Sequence, residues 1–173
     1  MNKNTKVISA YPCCGKSYIF ENADYIFNGE NENITIMDSD SSVFSWIREK
    51  RPDGEKKRNP EFPNNYMNHI KENIGKVDYI FVSSHKEVRE ALAKEKIKFT
   101  LVVPEKKLLN DWMIRMYNRG NDDEFINLQI DNWDKWLNEI DEEKGTYSKL
   151  IKLGRNEYLA DILHKCWGDK YVW

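Results

Sequence analysis

Short apolar runs alternate along this chain with longer stretches of helical spacing. The runs are KVISA (6 to 10), ITIM (34 to 37), DYIFVS (78 to 83), FTLVV (99 to 103) and KLIKL (149 to 153). They are rich in β-branched and aromatic residues, which suits strands buried on both faces of a parallel sheet. Helices are expected over 16 to 22, 63 to 73, 86 to 94, 104 to 118, 122 to 140 and 156 to 167. In the third of these Val88, Ala91 and Leu92 share one face, and Gly120 closes the fourth. Strand and helix in alternation predict an α/β domain with a five-stranded parallel sheet and right-handed crossovers. Ligands of such sheets sit at the carboxyl ends of the strands.

The segment REKRPDGEKKRNPEFPNN (48 to 65) breaks this rhythm. Dense in proline, glycine and charge, it predicts a long surface loop or mobile flap. No repeat or linker divides the chain, so residues 1–173 are expected to form one domain, a length that buries a core without disulfides.

Composition narrows the partners. There are 27 Lys and Arg against 29 Asp and Glu, a net charge of −2, so no global basic field exists to hold nucleic acid and an anion must be bound locally. No apolar run approaches the roughly 20 residues that span a bilayer, and the start MNKNTKVISA lacks a secretory apolar core. A cytoplasmic monomer or homodimer with no membrane contact is expected. The three cysteines, Cys13, Cys14 and Cys166, are odd in number and lack metal-ligand spacing, which predicts reduced thiols.

The first run leads into AYPCCGKSY, residues Ala10, Tyr11, Pro12, Cys13, Cys14, Gly15, Lys16, Ser17 and Tyr18. Strand, tight turn and helix start, ending in Gly-Lys-Ser, is the order in which backbone N–H groups converge on phosphate. Lys16 would reach the terminal phosphates of a nucleotide, Ser17 would offer its hydroxyl to Mg²⁺, and Gly15 would permit close approach. The pattern G-x-x-x-x-G-K-[ST] has its first glycine where this chain has Ala10. The loop resembles the G-x-P-G-x-G-K of adenylate kinases and their relatives, with Ala10 and Cys13 in place of two glycines.

Past the second run, Asp38 and Asp40 in MDSDSS would emerge at the same sheet edge as the loop. A carboxylate there can take a proton from an attacking hydroxyl, bind acceptor, or hold Mg²⁺ through water. Alternatively Asp38, Ser39 or Asp40 caps a helix over SSVFSWI. A similar Asp-x-Asp follows the second strand of shikimate-kinase-like proteins. The third run ends in Ser83, Ser84 and His85 rather than a metal-binding aspartate. The metal would then depend on Ser17 and on Asp38 or Asp40, and His85 would contact substrate or simply end the strand.

Arg115 and Arg119 lie four residues apart in LLNDWMIRMYNRGNDDEFI, on one helix face. Cations so placed stabilise a phosphoryl group in transfer, unless the face is merely solvated. RMYNRGNDDEF resembles the R-x-x-x-R-G, acidic turn and lid helix of guanylate-kinase-like proteins, and KLIKLGRNEYLADIL is similar to the closing strand and helix of that superfamily. A further lid arginine of those proteins has its nearest position here at Gln129. Arg48, Arg51 or Arg58 could supply that charge. The cluster Lys50, Arg51, Lys56, Lys57 and Arg58, with Phe62 and Tyr66, would grip an acceptor phosphate and stack its base, or else form a solvated flap.

The resemblance to P-loop nucleoside monophosphate kinases implies a three-layer sandwich with strand order 2-3-1-4-5 and a helical lid over about 115–140. It implies ATP and Mg²⁺ as cofactors and transfer of the γ-phosphoryl to a nucleoside or deoxynucleoside monophosphate. Lys16, Arg115, Arg119, Asp38 and Asp40 would be catalytic, and Asp38, Asp40, Arg51, Arg58 and His85 would face the acceptor. Two alternatives stand beside it: a kinase of a hydroxyl on a small molecule or, less favoured, a nucleic acid, and a nucleotide-binding module without catalysis.

Overall fold

The structure is a computed structural model that describes residues 3–27, 34–47, 57–143 and 145–167, the last four of these as backbone. In chain order β1 (Lys6–Ala10) leads through a turn to α1 (Lys16–Glu21) and α2 (Ala23–Ile26). After β2 (Ile36–Asp38) come α3 (Ser42–Ser45), β3 (Trp46–Ile47), β4 (Lys57–Arg58) and α4 (Asn64–Asn73). Then follow β5 (Tyr79–Ser83), α5 (Lys86–Lys94), β6 (Phe99–Pro104), a 3₁₀ turn (Lys106–Leu108), α6 (Leu109–Asn118), α7 (Asp123–Glu142), β7 (Lys149–Leu153) and α8 (Leu159–Trp167).

Five strands form one parallel sheet in the order β2-β5-β1-β6-β7. The short β3 and β4 pair antiparallel in a separate ribbon. With that ribbon set aside, the strands of the main sheet run second, third, first, fourth, fifth. β1 is central because its residues Val7 to Ala10 are all buried and tolerate neighbours on both edges and both faces. The one polar residue of that buried run, Ser9, is satisfied by donating to the Ser83 carbonyl at 2.9 Å.

Right-handed crossovers put α1 and α2 on one face of the sheet and the helices between β2 and β7 on the other. The packing agrees: α4 touches α5, α6 touches α7, and α8 returns to α1. Asp122 caps α7 by accepting from the Phe125 N–H at 2.8 Å, and Asp123 and Glu124 occupy its first turn. Ile126, Gln129, Trp133, Leu137 and Ile140 then recur at helical spacing on its buried side. Trp133 donates from its indole to the Lys106 carbonyl at 2.7 Å and lies 6.3 Å from the Trp112 ring. The segment expected as a lid is thus the end of α6 followed by a helix with one face in the core.

Several expected boundaries shift for local reasons. The first helix breaks at Asn22, whose amide side chain takes the Tyr18 carbonyl at 2.8 Å. The helix expected from Pro104 begins later, because Pro104 is the last residue of β6 and pairs with Leu153. The last helix starts at Leu159 rather than Asn156, which adopts φ 61° in the preceding turn. Of the expected surface loop or flap, residues 57–65 are described, and part of that segment is anchored to the core. Asn59 and Asn65 both donate to the Phe44 carbonyl at 3.0 Å, and Phe62 is buried. Tyr66, expected to stack an acceptor base, is fully buried and donates to the Ser39 carbonyl at 2.7 Å.

Candidate functional site

The loop after β1 is shaped by two left-handed residues, Cys13 at φ 62° and Gly15 at φ 100°. Ala10 is not among the residues with positive φ, so the missing first glycine of the sequence pattern is not demanded by the backbone here. The turn is closed by the Cys14 N–H on the Tyr11 carbonyl at 3.3 Å. Its outer side is held by three neighbours. The Tyr11 N–H donates to Val102 on β6 at 2.9 Å, the Trp112 indole on α6 donates to the Pro12 carbonyl at 2.9 Å, and the Leu159 N–H on α8 donates to the Cys14 carbonyl at 2.8 Å.

These contacts use carbonyls on the scaffold side of the loop. Among the described residues nothing accepts from the backbone N–H groups of Cys13, Gly15, Lys16 or Ser17. Consecutive unpaired N–H groups around left-handed residues make an anion-binding concavity. Tyr18 follows on α1 and is exposed.

Lys16 turns back over this loop and donates to the Ala10 carbonyl at 2.9 Å. Desolvation lowers its pKa, nearby Asp38 opposes the shift, and Arg119 adds to it. The next residue, Ser17, donates to Asp38 Oδ2 at 3.0 Å. Asp38 is the last residue of β2, so it belongs to the sheet and its carboxylate is delivered to the loop. Asp40 has the other role open to it in the sequence. Its Oδ1 accepts from the Ser42 N–H at 2.8 Å and its Oδ2 from the Ser42 hydroxyl at 2.7 Å, so both oxygens serve the start of α3.

On the far side of the loop the Arg115 guanidinium is sandwiched between two rings, 4.0 Å from the centroid of Trp112 and 4.0 Å from that of Tyr158. Its Nη1 is buried without a hydrogen-bond partner among the described residues. Tyr158 also packs against Gly15, with Cδ1 3.5 Å from the place a Cβ would take. Arg119 caps the end of α6 and is exposed. The two arginines therefore differ: one is a fixed, stacked cation and the other is free to reach.

A cavity of about 480 Å³ opens beside Tyr11 and Pro12, walled by Arg58, by Ser84 and His85 at the start of α5, and by Gln129 and Trp136 of α7. His85 caps α5 through its backbone carbonyl, which accepts from Val88 and Arg89, while its side chain is exposed to the cavity it lines. Desolvation lowers the imidazole pKa, Glu87 opposes this, and Arg58, Lys16 and Arg89 add to it. Arg58 lies 4.7 Å from the Phe62 ring and 5.4 Å from the Trp46 ring, paired with Glu87. Arg51, with Arg48, Lys50 and Lys56, lies outside the described residues.

Sequence patterns alone did not point to Trp112 or Tyr158. Trp112 precedes Arg115 by one helical turn, a usable signal. Tyr158 arrives only because β7 pairs with β6. Among the described residues no group of three or more His, Cys, Asp or Glu side chains could hold a metal by itself. Ser17 and Asp38 do suit Mg²⁺, which takes few protein oxygens and fills its octahedron with water and phosphate. Among the described residues no helix is long and apolar enough to cross a membrane.

Comparison of the chain with models of protein families and with curated proteins finds no match.

Proposed function

We propose that the chain is a P-loop phosphotransferase that moves the γ-phosphoryl group of ATP to an acceptor held in the cavity beside Pro12. The observation that carries this is the Ser17–Asp38 hydrogen bond at 3.0 Å, which joins the Gly-Lys-Ser end of the loop to the carboxylate ending β2. Hard oxygens meet there next to a lysine and a row of unpaired amides, the set needed to hold a phosphate chain and its cation. The strand order of the main sheet supports a P-loop sandwich.

In this proposal the amides of Cys13, Gly15, Lys16 and Ser17 bind the β-phosphate, and Lys16 leaves the Ala10 carbonyl to bind the terminal phosphates. With ATP, Mg²⁺ would supply positive charge that offsets the phosphate chain. Ser17 and Asp38 would hold it, directly and through water. Arg119 approaches the migrating group, while Arg115 stays between its two rings and supplies a fixed positive field. The resemblance to nucleoside monophosphate kinases makes a nucleoside monophosphate one acceptor to test.

The test is to incubate the protein with ATP, Mg²⁺ and a panel of monophosphates, hydroxyl compounds and oligonucleotide ends, and to follow ADP and product. Transfer abolished by Lys16→Ala supports the proposal. Transfer indifferent to Lys16→Ala would sink it, and ATP binding without transfer to anything would mark a nucleotide-binding module instead.

A further inference from the structure

We infer that the acceptor received by this cavity is an uncharged ring compound bearing a hydroxyl, a nucleoside unit, rather than a phosphate monoester. This rests on the phosphotransferase proposal and concerns what enters the cavity of about 480 Å³.

The cations in the wall are already engaged. Arg58 pairs with Glu87 and lies over two rings. Arg89, almost fully buried, forks onto Glu143 through Nε at 2.9 Å and through Nη2, and donates to the Ser84 carbonyl. Lys86 is 3.6 Å from Glu139. Three carboxylates, Glu87, Glu90 and Glu139, share the wall with these three cations. A dianionic phosphate placed there would displace ion pairs and face those carboxylates, whereas a neutral molecule would do neither.

The neutral wall has its own recognition group. Gln129 of α7 is 4% exposed, lines the cavity, and its Oε1 has no hydrogen-bond partner among the described residues. A buried amide oxygen without a partner accepts from an N–H or O–H edge and gives no preference to an anion. Pro12, Leu128, Trp136 and Ile140 supply apolar surface for a ring beside it.

The step balances with groups at hand. The acceptor hydroxyl oxygen attacks the γ-phosphorus, a new P–O bond forms, and the bond to the β–γ bridging oxygen breaks, so ADP leaves with that electron pair. The hydroxyl proton passes to the His85 imidazole, which faces the cavity. A phosphate acceptor would need no such base.

The experiment compares, on the full chain with ATP and Mg²⁺, a set of nucleosides, their 5′-monophosphates, and oligonucleotides with a 5′-hydroxyl. Transfer to hydroxyls with kcat/KM at least tenfold above that for monophosphates supports the inference. Free nucleosides are expected to react faster than oligonucleotide ends, whose terminal unit carries a phosphodiester anion, and a preference for oligonucleotide ends would overturn the uncharged acceptor. Gln129→Leu is expected to raise KM for the nucleoside at least tenfold with the Kd for ATP unchanged, and Gln129→Arg to shift preference toward monophosphates. A wild-type preference for monophosphates, or a Gln129→Leu chain with an unaltered nucleoside KM, would overturn the inference while leaving phosphotransfer in place. Absence of transfer to every acceptor would overturn both.

Discussion

The hydroxyl of Ser17 and the carboxylate of Asp38 meet at 3.0 Å, although β5 lies between the strands that carry them to the sheet edge. Asp38→Asn keeps an acceptor for Ser17 and removes the charge. If the pair holds Mg²⁺ with ATP, this change lowers transfer about 10- to 100-fold and raises the Mg²⁺ concentration required. Thermal unfolding should move little. Magnesium titrations of activity on both chains check it, and an unchanged Mg²⁺ requirement counts against the role.

Trp112→Phe tests how the loop is held. A smaller aromatic ring remains, and the Pro12 carbonyl loses its donor at 2.9 Å. The unmet part-buried acceptor and the space left by the smaller ring together cost about 1–3 kcal/mol. Denaturant unfolding should show a loss in that range, and nucleotide affinity should fall with it if the loop binds phosphate.

The two glycine positions of the loop pattern are expected to respond with opposite signs. Cys13 has φ 62°, where a non-glycine residue costs roughly 1–2 kcal/mol. Cys13→Gly relieves that cost and gives back part of it through a more flexible unfolded chain, for a net gain of up to about 1 kcal/mol. Ala10 is a buried strand residue without positive φ, so Ala10→Gly destabilises by about 0.5–1 kcal/mol or more. Two unfolding curves beside the wild type decide both.

Thiol chemistry separates the adjacent cysteines. Burial pushes the Cys14 thiol up to about 12, with Lys16 opposing. A raised acid pKa keeps the group protonated below that value, so at pH 8 roughly one molecule in ten thousand carries the reactive thiolate. Cys13 is half-buried. In a Cys166→Ser background, iodoacetamide at pH 8 is expected to label Cys13 while Cys14 reacts only after unfolding. Mass spectrometry of the labelled peptides reads this directly.

Arg89, 3% exposed, forms an ion pair with the half-buried Glu143. Arg89→Ala leaves this carboxylate and the Ser84 carbonyl without their donor and should cost about 1–3 kcal/mol. Arg89→Met with Glu143→Leu removes both charges and should recover most of that loss. A double-mutant cycle in denaturant measures the difference, and equal losses in the single and double variants would contradict it.

The parts of this molecule that were legible in its sequence are those where a local pattern has one physical outcome. Val7, Ile8, Ile80, Phe81, Leu101 and Val102 are buried on both faces, so their runs announced strands of the main sheet. Asp38 and Asp40 could not be told apart, because one residue decides where a strand stops and only Asp38 is within it. Arg115 was visible by spacing, but not its sandwich, since Tyr158 is 43 residues away in the chain and is placed by strand pairing. The anchoring of residues 59–65 was not legible, because it comes from two asparagine side chains on one carbonyl, which leaves no apolar rhythm to detect.

The Leu159 N–H reaches the Cys14 carbonyl at 2.8 Å, and Tyr158 rests on Gly15. A loop that follows the first strand is therefore finished by residues more than 140 positions further along the chain. A change that frees α8 from the loop, such as a backbone cut just before Tyr158, would leave Cys14 and Gly15 without their backing. Ligand capture by this loop would then report whether α8 has docked.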